Sequence, residues 1–113
     1  MKTIRKFGRL KDKRDQMIKS LTNSLIFYDK VETTLAKAKT LRSFAEKLIT
    51  RSKNASLHNR RLLKSAIGNE IAVKKLLEVF GPKYQDRAGG YLRITKTESR
   101  PGDNSPMAIV EFV

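Results

Sequence analysis

The 113-residue chain contains no cysteine and a single histidine. Without cysteine it can form neither disulfides nor thiolate metal sites. His58 alone cannot assemble a zinc centre, and flanked by Asn59, Arg60 and Arg61 it reads as a solvated helix residue. No apolar run approaches the roughly 20 residues that a membrane-spanning helix needs. Acids are also scarce, 11 against 25 Lys and Arg, which leaves a net charge of +14. Hydrophobic residues nevertheless make up 39% of the chain, a composition that packs a core rather than staying disordered. A compact body of this size repels itself at such a charge unless a polyanion neutralises it. Nucleic acid is the first candidate partner and an anionic membrane surface the second.

The charge is unevenly distributed. Residues 1–19 carry a net +6 and residues 51–67 a net +5, the latter without one acid, whereas residues 88–113 are neutral. Two patches spanning 36 residues therefore hold +11 of the +14. Charge spread for solubility alone would not be concentrated in this way, and the pattern predicts a two-point grip on phosphate.

Hydrophobic periodicity orders the rest. Residues 1–10 lack a period and read as a basic extended arm, with residues 11–113 as one domain. The arm has the composition of a transit peptide, but it runs into the first helix without a cleavage-like break and reads as retained. Met17, Ile18, Leu21 and Leu25 predict a helix from Asp12 to Tyr28, and Val31, Thr33 and Thr34 a short strand. Thr34 is a plausible N-cap for a helix over 35–52, striped by Leu35, Ala38, Leu41, Ala45, Leu48 and Ile49. Ser56 caps a short helix that Gly68 ends, and Asn69 caps another that Gly81-Pro82 is expected to stop. The period then changes to two, over Tyr91–Thr97 and Met107–Val113, around a breaker-rich turn. The predicted fold is α+β, a three-stranded antiparallel sheet with four helices on one face in the order α-β-α-α-α-β-β.

Catalytic patterns fail. Gly89-Gly90 in "DRAGGYLRI" leads into a strand, so the pair is neither a P-loop nor a dinucleotide fingerprint, both of which open a helix. The acids are scattered, and Glu46, Glu70, Glu78, Glu98, Asp103 and Glu111 form no close pair in sequence. A metal-dependent nuclease assembled in space is the remaining enzymatic alternative, and a free-standing RNA- or DNA-binding regulator the non-enzymatic one. No cofactor and no small-molecule substrate are expected.

The candidate RNA contacts fall into three groups. The first is Lys2, Arg5, Lys6, Arg9, Lys11, Lys13 and Arg14, with Phe7 placed to stack on a base. The second is Arg51, Lys53, Arg60, Arg61 and Lys64. Arg60 and Lys64 share a helix face and repel each other by a few tenths of a kcal/mol, about 0.3, unless an anion intervenes. The third is Arg87, Gly89, Gly90, Tyr91, Arg93 and Arg100. Its glycines either relieve a turn into the sheet or let phosphate approach backbone N–H groups. Strand alternation places Tyr91 and Arg93 outward and Leu92 and Ile94 toward the helices. Asp103 is expected to hold its own turn, leaving Arg100 for a partner.

Spaced blocks of this chain resemble a known family. "VETTLAKAK" from Val31, "EKLITRSK" from Glu46, "NRR" from Asn59, "RAGGYLRI" from Arg87 and "RPGDNSPMA" from Arg100 are similar, in order, to the signature of bacterial-type large-subunit ribosomal protein seventeen. The family's basic opening often contains histidine, where this chain has Met1–Lys6 and Lys13-Arg14. The resemblance implies a non-enzymatic structural constituent of the large ribosomal subunit that binds large-subunit rRNA. It implies neighbouring ribosomal proteins near the exit region, no membrane partner, and a cytoplasmic ribosome or an organellar matrix as location. It also implies a small antiparallel sheet with four helices, in agreement with the reading from periodicity.

Overall fold

The computed structural model describes residues 11–113, with side chains from Asp12 onward. The expected arm over 1–10 lies outside the described residues. Helix α1 (Lys11–Tyr28) leads through Asp29, held at φ 65°, into strand β1 (Lys30–Thr34). Asp and Asn tolerate this left-handed conformation better than most residues, because a short polar side chain can bond locally. Helices α2 (Leu35–Ser52) and α3 (Leu57–Ile67) follow, then α4 (Glu70–Lys75), strand β2 (Leu92–Thr97) and strand β3 (Met107–Phe112).

The caps form at the expected positions. Lys37 N–H donates to Thr34 Oγ1 at 3.4 Å and Asn59 N–H to Ser56 Oγ at 3.2 Å. Asn69 Oδ1 accepts from Ile71 and Ala72 at 2.9 and 3.2 Å, and Gly68 ends α3 in the left-handed region at φ 75°. Each satisfies backbone groups that a helix end leaves without partners.

The helical path after α4 departs from expectation. Gly81-Pro82 does not stop it. The chain widens into a π-helical turn, Leu76–Phe80, and continues as a final turn α5 (Gly81–Lys83). Gly81 N–H donates to Leu76 O, one residue further back than in an α-helix, and Pro82 falls in the first positions of the new turn. A missing N–H is harmless there. Gly81 has φ −55°, so it is not a left-handed cap. Its role is proximity, since a Cβ at this position would lie 2.5 Å from Ser52 O on α2.

The sheet order is β1-β3-β2, all antiparallel, with Val31 opposite Val110 and Ile94 also opposite Val110. The last strand is therefore central. Ala108 and Val110 are fully buried and Phe112 packs beside them against the helices. The Phe80 and Phe112 rings stack 3.9 Å apart. Leu25, Leu41, Ile49, Leu63, Val73 and Leu76 complete a core shared by α1–α4, the π-helical turn and the sheet.

Candidate nucleic-acid interface

The second and third groups of candidate residues lie 23 or more positions apart in sequence, and at the C-terminal end of α2 the fold joins Lys53 of the one to Arg87 and Tyr91 of the other, while Arg93 and Arg100 lie elsewhere. The apolar stripe of α2 turns Leu48, Ile49 and Ser52 inward, which leaves Arg51 exposed. Lys53 continues past the helix end, where its Nζ donates to Arg87 O and lies 4.8 Å above the Tyr91 ring. Tyr91 Oη donates to the same carbonyl at 3.1 Å and accepts from Thr50 Oγ1 at 3.1 Å. The Arg87–Gly90 segment is thereby fastened to α2, with Arg87, Gly89 and Gly90 exposed and Gly90 at φ 64°. Only glycine adopts that conformation without steric cost.

Tyr91 is a correction to the sequence reading. Its side chain is fully buried, sharing the core with Tyr84 at a ring separation of 5.1 Å. It precedes β2, so strand alternation does not govern its direction, and its ring offers no outer face for a base. Its part in the interface is to hold the loop.

On α3, Leu63 and Ile67 point into the core, which turns Arg60, Arg61 and Lys64 to solvent. Lys64 is paired with Glu70 at 2.6 Å, and its ammonium holds the Glu70 carboxyl below the usual carboxylate range. Arg93 is exposed on the helix-free face of the sheet as expected, but it bonds Glu111 at 3.2 Å. Arg100 forks onto Asp103, with its two nitrogens 3.1 and 2.7 Å from the carboxylate. That fork and the Ser105 N–H hold the Asp103 carboxyl far below its ordinary range. The expectation for Asp103 holds, while the Arg100 guanidinium is engaged within its own turn. Arg51, Arg60, Arg61 and Arg87, by contrast, enter none of the ion pairs among the described residues.

Beside Arg51 lies an open recess of about 520 Å³ lined by Glu46, Lys47, Thr50, Arg51, Asn54 and Asn59. Asn59 Nδ2 donates to Asn54 O at 2.9 Å, bridging α3 back to the turn. Sequence reasoning missed Lys47, Asn54 and Asn59 as parts of this surface. The available signal was the placement of Lys47 off the apolar stripe of α2. In the first group, Lys13 is exposed and Arg14 half-buried on α1, and Lys11 begins that helix. Lys2, Arg5, Lys6 and Arg9, and Phe7 with them, lie outside the described residues. Among the described residues, no group of His, Asp and Glu is arranged to hold a metal ion, and no helix is long and apolar enough to cross a membrane.

A charged surface of this kind fits many RNA-binding proteins, and comparison with known proteins decides among them. The family model described as "Ribosomal protein L17" matches residues 17–113. The chain belongs to the ribosomal protein L17 family. It is also similar to the large ribosomal subunit protein bL17 of Beijerinckia indica subsp. indica, with 48% identity over 109 residues, covering 96% of this chain and 78% of that protein. Membership of the L17 family makes the chain a structural constituent of the large ribosomal subunit, in the company of rRNA and other ribosomal proteins. The blocks that carried the resemblance all lie within the matched region.

Proposed function

We propose that this chain holds large-subunit rRNA by clamping phosphates between the α2–α3 corner and the basic segment over residues 1–14, as a scaffold and not as an enzyme. One observation carries the reading: the Lys53–Tyr91–Thr50 staple holds the Arg87 segment against the end of α2 that carries the exposed Arg51, and neither these two arginines nor the exposed Arg60 and Arg61 of the following helix enter an ion pair among the described residues. Such cations displace condensed counterions when phosphate takes their place. Two successive exposed glycines beside Arg87 let a phosphate oxygen approach backbone N–H groups that a side chain would shield. A-form RNA is bound chiefly through shape, 2′-hydroxyls and phosphates, so a corner rich in Arg and Asn suits it. Residues 1–10 act as an arm that extends this grip, and residues 11–113 act as one domain. In the assembled subunit the protein lies near the exit region, beside other ribosomal proteins.

The test is the double substitution Arg60→Gln/Arg61→Gln, with binding to large-subunit rRNA measured across a salt series. Affinity should fall, and the slope of log K against log salt should become shallower by about 1.5. The melting temperature should barely move, since exposed substitutions usually stay within about 0.5 kcal/mol. An unchanged slope would remove these arginines from the interface. A nuclease would instead reveal itself by metal-dependent cleavage of the same rRNA, and a free-standing regulator by failing to co-sediment with large subunits in high-salt gradients.

A further inference from the structure

The outward side of α2 bears a second and larger recess, of about 780 Å³. Its apolar lining comes from Ile18 of α1, Leu35 and Phe44 of α2, Ala66 of α3 and Ile94 of β2. Lys19, Lys39, Arg42, Lys47 and Lys96 also line it, and Asp15 is the one carboxylate among the described lining residues. None of these five cations enters an ion pair among the described residues, and all but the half-buried Lys19 are exposed. None of them was among the contacts expected from the sequence.

We infer that this recess seats an unstacked nucleotide of large-subunit rRNA, with its base against Phe44 and Leu35 and its flanking phosphates on Lys39, Arg42 and Lys47. The inference rests on the rRNA-binding reading above and extends it to a new site. A continuous RNA helix would need only cations on a convex surface. A concave apolar lining with cations around it matches a flat ring bearing anions at its edge, the form in which single-stranded segments present their bases. The volume lies within the roughly 300–1,000 Å³ of sites that enclose a compact ligand. Five cations to one acid complement a polyanion. Continuity decides for RNA: Lys47 lines both this recess and the smaller one at Arg51, so one basic track, interrupted by Glu46, runs along α2. From Lys39 to Arg51 that track covers about 18 Å of helix.

The experiment uses the full chain and large-subunit rRNA transcribed with 4-thiouridine. Binding is measured across a salt series, and photo-cross-linked peptides are identified by mass spectrometry. The wild-type chain should cross-link through α2 at or beside Phe44, as well as through α3. The variant Lys39→Gln/Arg42→Gln/Lys47→Gln should lose the α2 cross-links, keep those on α3, and show a salt slope shallower by about 2. Phe44→Leu, which keeps the charge, should retain the slope and lose the α2 cross-link. If Phe44→Leu fails to fold, the triple variant decides alone, because all three of its positions are exposed. Unchanged affinity, slope and α2 cross-links in the triple variant would overturn the inference and leave the α3 corner standing. So would unchanged rRNA binding together with lost binding of a poly-glutamate peptide, which would make an acidic protein segment the occupant. A wild-type chain that binds no rRNA would overturn both readings.

Discussion

Gly81 shows how one hydrogen atom in place of a methyl group can set a helix–helix distance. Its backbone conformation is ordinary helix, so alanine would gain in propensity by about 1 kcal/mol at this position. The added Cβ would nevertheless meet Ser52 O at 2.5 Å, and neither backbone can yield without moving its helix. Gly81→Ala is therefore expected to destabilise the fold by about 1–3 kcal/mol, read as a lower melting temperature with secondary structure retained. The Arg100–Asp103 fork makes a different prediction. The Asp103 carboxyl is held below its unfolded value first by the Arg100 side chain and then by the Ser105 N–H. Its stabilising contribution is thus fully present above the unfolded value of about 3.9 and is lost only as pH falls toward the folded one. The Asp103 carboxyl carbon shift should stay constant from pH 7 to pH 5 and begin to move only well below pH 4. In an Arg100→Gln variant the transition should return toward the ordinary carboxylate range.

At the scale of elements, what the sequence disclosed followed from where local chemistry and tertiary demand agree. Thr34, Ser56 and Asn69 each precede an apolar stripe and each accepts the expected backbone bond, so three helix starts were legible. Gly68, in a left-handed cap, was legible for the same reason. Gly81-Pro82 carries the same local signal and means something else, because the glycine answers to α2 across the core and the π-turn accommodates the proline. No periodicity within residues 70–83 contains that information. Tyr91 failed similarly: its position relative to Arg93 suggested an outward ring, whereas the turn at Gly90 and the core around Tyr84 take it inward. The interface was half legible. Its cations could be counted, but the staple that unites residues 50–53 with 87–91 depends on contacts between distant segments. Tyr91→Phe tests that staple. It removes two hydrogen bonds while keeping the ring, and should cost about 0.5–1.5 kcal/mol. It should also weaken rRNA binding more than an exposed Lys74→Gln control. Removing residues 1–10 should flatten the salt dependence of rRNA binding while the melting transition of the remainder persists. An unaltered slope would deny the arm a role.

For the whole molecule, the decisive property is an asymmetric distribution of charge. The segment that builds β2, its loop and β3 is neutral, and its arginines at 93 and 100 are answered by Glu111 and Asp103. Helices α2 and α3 carry many of the exposed cations that enter no ion pair among the described residues, Lys39, Arg42, Lys47, Arg51, Arg60 and Arg61. The helix side therefore offers a polyanion more unpaired positive charge than the open face of the sheet does. Binding to large-subunit rRNA should be steeply salt-dependent, falling on the order of 10³-fold between 50 and 200 mM salt. A weak salt dependence would mean that the surface is read by something other than phosphate.

The order of the strands also governs how the protein comes into being. Lys30 and Glu111 are neighbours in the ladder, and among the described residues β1 has no other strand partner until β3 is made. During synthesis both outer strands await the central one, and bringing such distant segments together is slow relative to forming helices. A nascent chain halted before Met107 would hold its helices beside two unmatched strand edges, a state open to aggregation. The same cations that later secure the finished protein would meanwhile keep such incomplete chains apart by mutual repulsion.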